Sequence, residues 1–425
     1  MVKIVIPKSS LMNSKGSFMD HDLSIKPLRF IFIVIVPVVL VLFWIASPIL
    51  SIITIFIYLL LVNPPKFINN LFIFITCLSL GLINYTKFPE SDLASYLVTF
   101  ERLSYYPVYE FYLVRPLDPL FYFVSSILYR LVDGHLPAFS LFWTSAIYYI
   151  AAISLLNFGR IIKLNRSWTL AAVFLLIVIN YNFPLSAHLV RQYMAMSFLI
   201  YAFTCSLEGR YSSYLFFLLA SLSHFSVIIF LPVIYFSMKK KVGGVELSLY
   251  LAILFLCSAV LGGTNLFLII ERIPTLGLDG LARIADRANN YALDDSAIRF
   301  RTYFDFLVYS CLCLYTLFMR KNRDGDVGKK IIFFIFYFWF LIFLFRNTDL
   351  LQLRYVFYGF GILSLSFIYT LKHREAMISI FFILMVVVAF PRFLRGLEYS
   401  GWTYIENSWR IVFYSLFDFL MYNPA

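Results

Sequence analysis

Lysine placement constrains this chain more than any other feature. Lys3, Lys8, Lys15 and Lys26 precede the first apolar stretch, and Lys66, Lys163, Lys239, Lys240, Lys241, Lys321, Lys329, Lys330 and Lys372 fall at every second turn between apolar stretches. Lys87 alone breaks the alternation. The intervening turns instead collect arginine, aspartate and glutamate. Positively charged loops stay cytoplasmic when a membrane protein inserts, so the lysine set predicts the cytoplasmic side and the Arg/acid set predicts the outer one.

Composition excludes a soluble globular reading. Apolar residues make up 61% of the chain, aromatics 20% and charged residues 14%, and the mean hydropathy is +0.84. Ordinary domains are far less apolar. The net charge of +12 is scattered in short turns rather than gathered on one basic face, which argues against nucleic acid and for topology and anionic lipid as its cause. Cys77, Cys205, Cys257, Cys311 and Cys313 all lie in apolar runs without metal-ligand spacing, as packing residues do. The first apolar run follows a basic leader and precedes another span, so it reads as a permanent anchor and not a cleaved signal.

A crossing helix needs about 20 apolar residues. Runs that meet or approach this begin near Arg29, Pro48, Phe67, Pro137, Trp168, Leu189, Glu246, Thr302, Ile331, Tyr355 and Met377. Two segments need a decision. Counting Pro119 to Val132 as a span would put Arg160, Lys163 and Arg166 outside, and its roughly 14 residues are short for a crossing, so a re-entrant or surface-lying helix with both ends outside is expected. Ser212 to Met238 is flanked by Arg210 and by Lys239, Lys240 and Lys241, both of which belong inside. Two short helices folding back at Ser223 and His224 satisfy both flanks and place His224 at an outer apex. Trp409 to Tyr422 is a candidate for one more short span.

With no internal repeat or low-complexity linker, the expected architecture is all-α: a single polytopic membrane domain of about 13–14 helices over 29–395. An N-terminal cytoplasmic segment covers 1–28 and a tail covers 396–425. External loops are expected near 86–136, 263–301 and 345–354.

The outer set holds Asp92, Glu101, Glu110, Asp118, Asp133, Asp286, Asp294 and Asp295, and Arg115, Arg191, Arg272, Arg283, Arg287, Arg299, Arg301, Arg346 and Arg354. Guanidinium stays charged when desolvated and grips phosphate with two parallel bonds, so a lipid-linked phosphate or diphosphate suits this face. Pairing with the local acids and headgroup anchoring are the plainer alternatives. Arg191 stands out because it opens an otherwise apolar span, where an ionisable group is costly and faces a partner or cavity or snorkels to the interface. His224 reads either as a hydrogen-bonded core histidine or as a functional group at the hairpin apex. Asp92 and Asp118 each precede a helical-looking run, and Asp118 with Pro119 has the form of a helix cap.

In order along the chain, Asp92 with Tyr96, Asp118-Pro119, Arg191-Gln192 with Ala195, Ala220 with His224 and Ser226, and Arg354-Tyr355 form a pattern that resembles the EpsG/Wzy-type polysaccharide polymerases of bacterial membranes. Leu93 and Lys87 depart from it, and Asp118 stands where Glu is usual. The aligned part runs from about Thr86 to Tyr235. The resemblance implies a GT-C-like glycosyltransferase of the inner membrane, working on its periplasmic face without metal or other cofactor. Donor and acceptor would both be undecaprenyl-diphosphate-linked oligosaccharides, with a chain-length regulator and a flippase as further partners and no nucleic acid. It implies Asp92, or else His224, as the base, and Arg191 and Arg354, with Arg301, on the leaving diphosphate. Tyr96, Arg115, Asp118, Gln192 and Arg299 would bind substrate. An O-antigen ligase and a lipid-linked oligosaccharide flippase are the rival expectations.

Overall fold

The computed structural model describes residues 31–62, 64–89, 91–114, 118–175, 183–261, 325–345 and 408–421, with scattered residues from Tyr355 to Tyr369. All regular structure among them is helical. The first helices are α1 (Val36–Ala46), α2 (Pro48–Val62), α3 (Lys66–Tyr85), α4 (Ser91–Arg102), α5 (Pro119–Leu131) and α6 (Leu136–Ile161). They are followed by α7 (Arg166–Leu175), α8 (Val190–Leu207), α9 (Ser212–Ser223), α10 (Leu231–Met238), α11 (Gly244–Leu261) and α12 (Gly325–Leu344). Three of the described helices, α3, α6 and α12, are long and apolar enough to cross a membrane.

Helix α6 is the central post, and α3 and α8 pack along it. Apolar burial alone does not select partners in lipid, where close approach and buried polar links do. Both appear here. Gly81 lets α3 approach so closely that an added Cβ would lie 2.7 Å from the Leu141 carbonyl oxygen. The Asn84 amide donates to Thr144 Oγ1 at 2.8 Å, and Ser197 of α8 donates to the Ile147 carbonyl of α6 at 3.0 Å.

These links also sort the described residues between two ends of the bundle. At one end the α3 terminus meets the start of α6, where Tyr85 Oη lies 2.6 Å from His135 Nε2. At the other, Arg160 near the end of α6 pairs with Glu208 just beyond α8 at 3.4 Å, and Arg166 donates to the Pro64 carbonyl at 2.9 Å. Helices α6 and α8 therefore run parallel. The lysine turns follow the second end: Lys66 opens α3, Lys163 follows α6 and Lys239 follows α10.

The hairpin expected at His224 is present. Ser213 Oγ at the start of α9 reaches Met238 Sδ at the end of α10, 3.2 Å away, so the segment returns to the end it left. The reversal is made by His224 itself, whose extended backbone (φ −157°, ψ 114°) breaks the helix before a 3-10 turn over Phe225–Phe230.

Helix α5, with 13 residues, is likewise short for a crossing. Its last residue, Leu131, lies only five residues before α6 begins. Its middle lies beside the third turn of α6, where Trp143 Nε1 donates to Ser125 Oγ at 3.2 Å and the Trp143 ring stacks on Phe121 with centroids 4.6 Å apart. A 13-residue helix is about 20 Å long at 1.5 Å per residue. Its middle therefore lies about 10 Å along α6 from the start of that helix.

Two expectations change, and two others fall on residues that are not described. The run placed near Ile331 begins as helix at Gly325, because Lys329 and Lys330 are accommodated at the helix start: Lys329 Nζ donates to the Val242 carbonyl at 2.6 Å. The stretch from Trp409 forms a 3-10 turn over Ser408–Phe413 and a six-residue helix over Leu416–Met421, too short for a span, with Val412 held to Ser47 at 2.9 Å. The runs at Thr302 and Met377 lie outside the described residues.

Candidate functional site

Four separate segments meet at the end that carries Tyr85 and His135. Arg191 lies in the first turn of α8, as the sequence predicts. Its Nη1 donates to Asp118 Oδ2 at 2.6 Å, and its Nε donates to the Tyr96 hydroxyl oxygen at 3.2 Å. The guanidinium carbon lies 5.3 Å from the Tyr96 ring centroid and 6.0 Å from that of Tyr122, within cation–π range. Two aromatic faces and a carboxylate thus enclose a cation at the mouth of an apolar helix. This is an internal partner and not a snorkelling arrangement.

Asp118 is the hub of the cluster. Its side chain is 3% exposed while that of Arg191 is 22% exposed. Its second oxygen, Oδ1, accepts the Phe225 backbone amide at 3.0 Å, and His224 Nδ1 lies 3.7 Å from the same oxygen. The cap reading of Asp118 is overturned. Pro119 does open α5, but Asp118 sits in the left-handed region (φ 64°) and its carboxylate makes no hydrogen bond to its own helix. That backbone turn aims the side chain away from the α5 amides and toward α8 and the α9–α10 apex. Left-handed conformations are tolerated by aspartate better than by most residues, which suits Asp at this position.

The break at His224 has a second consequence. It exposes the Phe225 amide, which a continuous helix would have spent internally, and Asp118 takes it. The His224 amide itself returns to the Ala220 carbonyl at 3.0 Å, and Ser226 Oγ lies 2.9 Å from Tyr358 Oη. Ala220 is fully buried at 0% exposure, so the small residue four positions before the histidine fits a tight helix packing.

Asp92 lies in the first turn of α4, one residue inside its start, where a carboxylate favours the helix dipole. It is not the cap residue. One helical turn separates it from Tyr96, so both share a face, and among the described residues it makes no ion pair. Gln192 is 4% exposed and lies beside Arg191 on α8. Arg115, Arg299, Arg301 and Arg354 lie outside the described residues.

Sequence reasoning passed over three participants. Tyr122 and the Phe225 amide had no signal of their own. Lys87 did, as the one lysine out of pattern: it is 3% exposed and lies close enough to His188, also 3% exposed, to influence its protonation. His188 occupies the turn just before α8, three residues from Arg191. Burial first, and the Lys87 charge second, push its imidazole down to about 3.

A metal would need converging ligands. Among the described residues, no three His, Cys, Asp or Glu side chains gather to hold one. What the site offers is a fixed guanidinium, a buried carboxylate and an imidazole, a set suited to holding an anion and moving a proton.

The architecture and site define a polytopic, all-α membrane protein with an arginine–carboxylate–histidine cluster at one end of its bundle. The family model for the EpsG family matches residues 70–406 of the 425, more than half of the chain, and the protein belongs to that family of polysaccharide polymerase type. Comparison with curated proteins and with solved structures gave no match.

Proposed function

We propose that this protein joins lipid-linked oligosaccharide repeat units into a polysaccharide on the outer face of the bacterial cytoplasmic membrane. The growing chain passes from undecaprenyl diphosphate to the terminal sugar of a new lipid-linked repeat. The acceptor hydroxyl oxygen attacks the anomeric carbon, the bond from that carbon to the diphosphate oxygen breaks, the diphosphate leaves with the electron pair, and a base takes the hydroxyl proton. The observation that carries this reading is the Arg191–Asp118–His224 cluster at the end opposite the lysine turns. The positive-inside rule assigns the lysine end to the cytoplasm, the N-terminus with it, and the cluster to the outer face.

His224 is the preferred base. Asp118 beside its Nδ1 stabilises the imidazolium formed on proton uptake, as the buried carboxylate does in hydrolase triads. Asp92, one turn from Tyr96, is the second candidate. Arg191 spends two of its five N–H donors on Asp118 and Tyr96 and retains others for the leaving diphosphate, with Arg354 and Arg301 as further cations. Tyr96, Asp118 and Gln192 fix the geometry around it, and Arg115 and Arg299 extend the positive surface. The reaction needs no metal, since the guanidinium groups take up the charge that develops on the diphosphate. A flippase delivering the repeat units and a chain-length regulator are the proposed partners.

The test is the surface-glycan ladder of a strain lacking the gene, complemented with wild type or Arg191→Ala at matched membrane expression. Losing such a donor removes about 3–4 kcal/mol of transition-state stabilisation, so polymer should fall about 10²- to 10³-fold while single-unit material on the carrier remains. Loss of the single-unit band as well would point to a ligase or flippase, and a normal ladder would reject the assignment.

A further inference from the structure

Helix α5 presents two faces. One buries Phe121, Tyr122, Ser125, Ser126 and Leu128 against the bundle. The other exposes Phe123 (38%), Ile127 (37%) and Leu131 (77%), spaced four residues apart in a single stripe. The preceding 3-10 segment, Val108–Leu113, packs against α5 through Phe111, whose ring lies 5.3 Å from that of Phe123. With three residues per turn, positions three apart eclipse, so Tyr109 and Tyr112 form a row on the open side, 71% and 50% exposed. Arg130 locks the two pieces together, bonding the Ser126 carbonyl and hydroxyl at 2.9 and 2.8 Å and also the Tyr106 carbonyl.

We propose that this module is seated in lipid, at the boundary between headgroups and acyl chains, and that the seat fixes the depth at which Asp118 and Arg191 meet the substrate diphosphate. The second half of the proposal rests on the polymerase reading; the first does not. Three observations favour lipid as the occupant. The helix is short for a crossing, and its middle lies about 10 Å along α6 from the start of that helix, close to the depth of in-plane amphipathic helices buried about 5–10 Å into the boundary. The exposed row is tyrosine, whose ring and hydroxyl suit a half-wet layer. The neighbouring α9, which packs against α5, also carries outward apolar residues, Leu215 and Leu218, 55% and 51% exposed. Because Asp118 opens α5, displacing the seat would displace the carboxylate from Arg191 and His224.

The experiment is depth-resolved fluorescence quenching of full-length Ile127→Trp in vesicles of phosphatidylethanolamine and phosphatidylglycerol. The emission of the six native tryptophans is subtracted using wild type. Phe123→Trp serves as a second reporter should Ile127→Trp fail to accumulate. The expected result is a loss of the added emission that is greater with bromines near the headgroup end of the acyl chains than with bromines at their tips. Quenching only by aqueous iodide would overturn the proposal in favour of a water-facing, glycan-binding surface. Protection from both quenchers would show that another part of the chain covers the stripe, and stronger quenching by deep bromines would show a crossing helix; either result would also overturn it. None of these readings depends on polymer being made, so a failed seat and a failed polymerase assignment remain distinguishable.

Discussion

The two ends of the bundle handle charge in opposite ways. At the lysine end the pairs are open to solvent: Arg160 with Glu208 is 58% and 26% exposed, and Arg210 with Glu208 is 55% and 26% exposed. Lys239 meets Glu246 from only 7 residues away. At the other end Arg191 and Asp118 come from positions 73 residues apart, with the carboxylate 3% exposed. Exposed pairs contribute about 0–1 kcal/mol, whereas a charge taken out of water costs several kcal/mol unless its partners are well placed. Paired charge at the lysine end serves topology, with Lys330, 4% exposed at the start of α12, the buried exception there. At the other end it is held against a desolvation cost, which is where a site for an anionic substrate belongs.

The sharpest way to break that contrast is Asp118→Ala. It leaves the Arg191 guanidinium partly buried without its carboxylate, and the Phe225 amide without its acceptor. A loss of about 3–5 kcal/mol is expected, read as a lower thermal midpoint of the purified protein together with lost polymer. Arg191→Lys separates the two effects. It keeps the charge but not the planar fork that spans Asp118 and Tyr96, so polymer should fall at least about tenfold while the midpoint moves far less than in Asp118→Ala. Wild-type chain length in this variant would remove the bidentate role.

Acid should act on the same end. The His188 imidazole is held neutral down to about 3 against an ordinary value near 6.5. Between those values the unfolded chain binds a proton that the folded one refuses. Its neutral form therefore costs nothing above about pH 6.5 and progressively lowers stability as pH falls toward 3, by about 3 kcal/mol at pH 4. His188→Gln should flatten the acid side of the stability profile; an unchanged slope would assign the loss to other groups.

Between the two ends, Gly81→Val tests the post they share. A Cβ there would lie 2.3 Å from Ser145 Oγ and 2.7 Å from the Leu141 carbonyl oxygen. The serine can rotate but the carbonyl cannot, so α3 and α6 must part. A destabilisation of about 1–3 kcal/mol is expected, with both ends affected alike.

How much of this was legible beforehand follows from the same contrast. Charge counted along the chain was enough to fold back Ser212–Met238 at His224, and span length was enough to mark Pro119–Val132 as a short helix, because insertion depends on the sign of short loops and on span length. The role of Asp118 was not legible. Asp-Pro before an apolar run is equally the sequence of a cap, and the choice was made by a left-handed backbone at Asp118 and by a helix break 106 residues later. Arg191 announced itself through the cost of its position and Tyr96 through its place four residues after Asp92, but Tyr122 beside the guanidinium and the Phe225 amide on Asp118 are brought in by packing alone. Lys87 was visible only as an exception to the lysine rule. Its burial beside His188 gives that exception a physical place but, on sequence alone, no role.

The smallest expected effect is the one that sharpens the contrast most economically. Arg160→Ala removes the α6 partner of Glu208, yet Arg210 stays on the same carboxylate at 3.0 Å, so no charge is stranded. Both side chains already lie in water, where screening and lost rotamer freedom cancel most of the attraction. The thermal midpoint should therefore shift by the equivalent of less than about 1 kcal/mol, with an unaltered glycan ladder. A loss comparable to that of Asp118→Ala would mean that pairs at the lysine end hold the bundle together, and the division of labour between the two ends would fail. A small shift that disappears in high salt would instead identify the Arg160 contact as a screened surface pair, leaving the Asp118 cluster as the place where charge is kept despite its cost.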